Sequence, residues 1–176
     1  MTCGNPKVSM TAVQTFLRWL WRIEATVCVI AFTGTALALM ADVLAREFFG
    51  NGIFGAQRFA VWTNAVAGLL GFALVTAERG HLRPQFADAL LPKSLEPHVE
   101  RIGELLSALI CCVIGWYAVR FVMSSAALGE RGMAIPIVVW PIQLVLPWMF
   151  FSSALRHLAY ATWPVLRPAP RSEVPK

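Results

Sequence analysis

FAVWTNAVAGLLGFALVTA, residues 59–77, carries nineteen residues without one charge and halts at Glu78-Arg79-Gly80-His81. At 1.5 Å of rise per residue a helix of that length measures about 28 Å, close to the hydrocarbon thickness of a bilayer. A helix lying on a soluble core would place polar residues at every third or fourth position. Here only Thr63, Asn64 and Thr76 interrupt the apolar run. The stretch reads as a membrane span, and the charged cluster after it marks the exit from the apolar layer.

Working outward, the composition agrees. The 176 residues are 57% hydrophobic and 14% charged, whereas soluble domains carry about a quarter of charged residues. The length suits a single membrane domain over residues 1–176, holding a few spans. The net charge of +5 does not argue for nucleic acid, because the basic residues sit at the ends of apolar runs instead of forming one stripe. The four cysteines, Cys3, Cys28 and the adjacent Cys111-Cys112, have no metal-ligand spacing. They read as small residues of apolar helices.

Four spans are expected, at residues 23–48, 59–77, 105–122 and 135–160, giving an all-α integral membrane protein. The approach to the first, Phe16-Leu17-Arg18-Trp19-Leu20-Trp21-Arg22, interleaves tryptophan with arginine as the headgroup layer favours. Ala36-Leu37-Ala38 mimics a signal-peptidase site, but the polar leader is long and the apolar run continues past it, so no cleavage is expected. Between the second and third spans, residues 84–91 (PQFADALL) put Phe86, Leu90 and Leu91 on one face and Asp88 on another. That spacing predicts a short interfacial helix stopped by Pro92. The fourth span carries Pro136, Pro141 and Pro147, which exclude a straight helix but not a membrane helix. The tail 164–176 is expected to be disordered.

Charge sets the orientation. Lys7, Arg18 and Arg22 lie in the N-terminal tail, Arg79, Arg83, Lys93 and Arg101 in the central connection, and Arg156, Arg167, Arg171 and Lys176 near the C-terminus. The two intervening loops hold only Arg46, Arg58, Arg120 and Arg131. Eleven cations against four place both termini in the cytoplasm by the positive-inside rule.

Few residues suggest chemistry. Glu24 stands beside Arg22 at the entrance of the first span, and Asp42 is one turn from Arg46, which predicts an i,i+4 ion pair. Neither reads as a mid-bilayer carboxylate of an ion carrier. His81, His98 and His157 lie in charged connections or at a helix end, too shallow to ligate a haem inside the bilayer. No catalytic residue, metal ligand or cofactor is expected. The second span does carry small residues at helical spacing: Ala60, Asn64 and Gly68 at i, i+4, i+8, then Ala67 and Gly71. Such faces let backbones approach closely, and Asn64 could hydrogen-bond across the contact for roughly 1 kcal/mol. Asn64, Gly68 and Gly71 are therefore packing candidates, within the bundle or against a partner.

The ordered set Arg46, Arg58, Trp62, Gly68-x-x-Gly71, Glu78-Arg79-Gly80-His81-Leu82-Arg83, Asp88 and Leu91-Pro92, with Ile135-Pro136 and Leu146-Pro147 in the fourth span, resembles the small membrane (DctQ-type) subunit of tripartite ATP-independent periplasmic (TRAP) transporters. The likeness covers roughly residues 15–160. Family members usually carry Trp and Glu before the second span, where this chain has Ala56-Gln57-Arg58, and often Val-Asp after the His box, where it has Arg83-Pro84-Gln85. The resemblance implies an inner-membrane complex with a large permease subunit and a periplasmic solute-binding protein. That complex would import organic acids such as dicarboxylates on a sodium gradient, with the small subunit bracing the large one. Arg79 and His81 are then structural, fixing the cytoplasmic end of the second span with lipid phosphate or Asp88. Two readings of other classes stand beside it. One is a haem- or quinone-binding membrane anchor of an electron-transfer enzyme. The other is a self-sufficient small exporter, which would need a central acid.

Overall fold

The computed structural model describes residues 6–78, 96–132 and 137–166. Over these the chain forms α1 (Pro6–Phe49), α2 (Ala56–Ala77), α3 (Glu96–Leu128), α4 (Trp140–Gln143), α5 (Val145–Thr162) and a final 3₁₀ turn at Pro164–Leu166. No strand occurs among them; an isolated antiparallel bridge joins Arg131 to Val138. Three helices are long and apolar enough to cross a membrane, over Met10–Phe49, Ala56–Ala77 and His98–Leu128. The 18-residue α5 is shorter. The interfacial helix expected at residues 84–91 and most of the C-terminal tail lie outside the described residues.

α1 is far longer than the span expected within it. Its 44 residues extend about 66 Å, twice the hydrocarbon thickness. Residues read as a polar leader continue the helix because they carry the same periodicity. Met10, Val13, Leu17, Leu20, Glu24, Cys28, Ala31, Thr35, Ala38, Asp42 and Ala45 recur in steps of three and four, and all are buried or half-buried. Such a stripe is the seam of a left-handed helix pair. Its partner is α2, which buries Ala56, Ala60, Ala67, Leu70, Ala73 and Thr76. Across this antiparallel seam the Cys28 Sγ–H donates to the Ala67 carbonyl at 3.4 Å, and the hydroxyls of Thr35 and Thr63 meet at 2.7 Å.

α3 repeats the device against α5. Ala108, Cys111, Gly115, Ala118, Val122 and Ser125 are its buried residues, again in steps of three and four. Gly115 is where the two helices come within a side chain's reach. A Cβ at that position would come within 3.2 Å of the Phe151 ring and 3.3 Å of the Phe150 Cβ.

The break between α4 and α5 comes from Pro147, which has no N–H to give the Gln143 carbonyl. Leu144 keeps right-handed helical dihedrals, donates its N–H to Trp140 and accepts from Trp148, so the axis continues through the break. Residues 140–162 thus make one interrupted rod of about 34 Å. α1 packs on α2, α2 on α5, and α5 on α3. The central pair, α2 and α5, runs parallel. The outer faces of α1 and α3 stay apolar and exposed, as lipid-facing helices do.

Candidate functional site

The strongest polar feature lies where α1, α2 and α5 meet. Glu24 and Arg156, each with a side chain 1% exposed, form an ion pair at 2.6 Å between Arg156 Nη2 and Glu24 Oε2. The other carboxylate oxygen accepts from Trp148 Nε1 at 3.2 Å and from the Ser152 hydroxyl. Arg156 Nη1 donates to Ser152 Oγ at 2.9 Å and to the Ala73 carbonyl of α2 at 3.0 Å. One turn further along α5, the Tyr160 hydroxyl donates to the Ala77 carbonyl at 3.2 Å. Removing two charges from water costs several kcal/mol per ion, and only near-complete pairing offsets it. Here both carboxylate oxygens are bonded, and the guanidinium reaches two helices besides its own.

The expectation that Glu24 belongs with Arg22 at the membrane entrance is corrected. Residues two apart point to different sides of a helix, so Arg22 faces outward while Glu24 joins the seam. Likewise Arg156, counted among the cations of the C-terminal side, is buried and paired with Glu24. The charge asymmetry behind the expected orientation survives its removal. A sequence signal did exist: Trp148, Ser152, Arg156 and Tyr160 recur every four residues, a polar ladder down one face of α5.

Toward the C-terminal end of α1 the i,i+4 pair is present as read. Arg46 Nη2 meets Asp42 Oδ2 at 2.9 Å, with the Arg46 side chain 55% exposed. Asp42 also accepts the Ile53 N–H at 2.8 Å, pinning the turn between α1 and α2. A Cβ on Gly52 would fall 2.6 Å from Asp42 Oδ1 and 2.8 Å from Arg46 Nε, so a larger residue there would displace the ion pair. His157 is not a solvent-facing terminal residue: its Nδ1 lies 2.7 Å from Glu104 Oε2, tying α5 to α3.

The packing candidates of the second span separate. Ala60 and Ala67 lie in the seam at 3% and 6% exposure. Asn64 and Gly68 are on the open side and Gly71 is half-buried. A Cβ on Gly68 or Gly71 would meet nothing within 4 Å. The reason is geometric. Each step of four residues rotates about 40° past a full turn, so a small-residue stripe at i, i+4, i+8 drifts about 80° off the seam. The close approach inside this chain is made by alanines instead. The Asn64 amide finds no hydrogen-bond partner among the described residues. Arg79, His81 and Asp88 lie outside the described residues.

Among the described residues no group of three or more His, Cys, Asp or Glu could hold a metal ion. Three helices long and apolar enough to cross a membrane, with a polar node buried between α1, α2 and α5, define an all-helical integral membrane protein. The chain matches the DctQ component of the tripartite ATP-independent periplasmic transporters over residues 35–167 and belongs to that family. Members are transporter subunits, not enzymes, and work with a large permease subunit and a periplasmic binding protein. The match gives no support to the electron-transfer alternative. No curated protein and no solved structure matches the chain.

Proposed function

We propose that this chain is the bracing subunit of a TRAP-type importer in the bacterial inner membrane, holding the large permease subunit while organic acids such as dicarboxylates enter on a sodium gradient. In this reading it spans the membrane four times, with the rod of α4 and α5 as the last span and both termini cytoplasmic. The observation that carries it is the open face of α2. Asn64 and Gly68 are exposed on an apolar helix, and a Cβ at Gly68 or at half-buried Gly71 would meet nothing described within 4 Å. An unpaired amide facing hydrocarbon is unfavourable, whereas a neighbouring helix could both satisfy Asn64 and approach Gly68 and Gly71 closely. Arg79 and His81 follow α2 and are assigned to its cytoplasmic end, where cations complement the carbonyl end of the helix. Asp88 is their pairing candidate.

Reconstitution tests the division of labour. Liposomes holding this chain alone should take up no dicarboxylate under an inward sodium gradient. Liposomes holding both membrane subunits, supplied with the binding protein, should. Uptake by the isolated chain would overturn the bracing role and restore the exporter reading.

A further inference from the structure

A cleft of about 640 Å³ opens between the first half of α2 and residues 130–132 and 137–143. Its size lies within the roughly 300–1,000 Å³ of ordinary ligand sites. Arg58 and Arg131 are among its lining residues, together with the apolar Trp62, Val66 and Ile142. From Arg58, in the first turn of α2, to Val66 the helix advances about 12 Å. The cleft therefore runs from the membrane boundary into the depth of the acyl chains, cationic at the top and apolar below.

Neither Arg58 nor Arg131 forms an ion pair among the described residues. Glu130 also lines the cleft and accepts from the Ser125 hydroxyl at 2.6 Å, so two cationic side chains share the described lining with one acidic one. Guanidinium groups at headgroup level favour phosphate oxygens, which they can bind with two parallel hydrogen bonds. An apolar wall continuing inward from such a pair suits an acyl chain, and cationic pockets between membrane helices hold anionic headgroups.

We propose that this cleft seats one anionic phospholipid, its phosphate at Arg58 and Arg131 and an acyl chain along Trp62, Val66 and Ile142. The site is separate from the open face of α2, so it stands whether or not that face docks the large subunit.

Native mass spectrometry of the delipidated full chain in detergent tests this. Phosphatidylglycerol, uncharged diacylglycerol and inorganic phosphate are titrated separately. One saturable phosphatidylglycerol adduct is expected, with diacylglycerol weaker by roughly tenfold or more. The R58Q/R131Q variant should weaken phosphatidylglycerol to the diacylglycerol level. Ile142→Trp, which fills the wall and keeps both arginines, should abolish the adduct while circular dichroism shows an unchanged helix content. Equal phosphatidylglycerol binding by wild type and both variants would overturn the proposal. So would diacylglycerol binding as tightly as phosphatidylglycerol, or inorganic phosphate displacing the lipid, which would mark a plain anion site. Loss of the adduct when the chain is co-purified with its large subunit would also overturn it, assigning the cleft to protein.

Discussion

Two acid–arginine pairs involve the first helix, one near its middle and one toward its C-terminal end, and they do different work. Asp42–Arg46 is local: one turn of one helix, its arginine half in solvent, its second acceptor spent on the Ile53 amide. Glu24–Arg156 joins residues 132 positions apart, is closed to solvent, and recruits Trp148, Ser152 and a carbonyl of α2. The first shapes a turn, whereas the second fixes the register of α1 against α5, with α2 held beside them. The bracing role we propose calls for that second kind of contact. Apolar helices in lipid slide easily past one another, and a satisfied buried pair admits few alternative alignments.

Breaking the distant pair should have the largest effect. Arg156→Met leaves Glu24 buried and unpaired, which costs about 3–5 kcal/mol in comparable pairs. Thermal unfolding in detergent should show a much lowered midpoint. Adding Glu24→Gln to the same chain should recover part of the loss, since it removes the stranded charge. If the double variant were no better than Arg156→Met alone, the pair would not be the source of the stability.

Next comes Gly115→Ala. Its new methyl would press on Phe150 and Phe151, and overpacking of this kind costs about 1–3 kcal/mol. Unfolding midpoints read it directly. Asp42→Asn should be milder and local, raising hydrogen exchange at the Ile53 amide while amides in the α3–α5 seam keep their protection. Smallest of all for the chain's own stability is Gly68→Leu, because nothing described lies within 4 Å of a Cβ there. Its effect should appear only in co-purification of the large permease subunit, which should fall sharply.

These contrasts also explain what the sequence could tell. Apolar run length and charge placement declared the helices and the membrane, because bilayer thickness acts on every span alike. The i,i+4 pair of Asp42 was legible since both partners share one turn. Glu24 was not, because its partner lies in another helix and Arg22 offered a false neighbour in the linear chain. The small-residue stripe left open whether it packs within the bundle or against a partner, and the structure divides it, with Ala60 in the seam and Asn64 and Gly68 exposed. Glycine spacing records close approach without recording whose helix approaches, and only the alanine seam, occupied by α1 and α5, shows which side is already taken. Arg79, His81 and Asp88 fall outside the described residues, so their assignment to the end of α2 still rests on the family likeness and on helix electrostatics.

The central claim is that the open face of α2 holds the large subunit, and proximity tests it most directly. In a chain with its native cysteines replaced, Gly68→Cys would be treated with a short bifunctional maleimide in membranes containing the assembled transporter. The account predicts a covalent adduct of the two membrane subunits from position 68, absent when the cysteine is placed instead at Ala67 in the internal seam. An adduct from neither position, or from Ala67 alone, would contradict it.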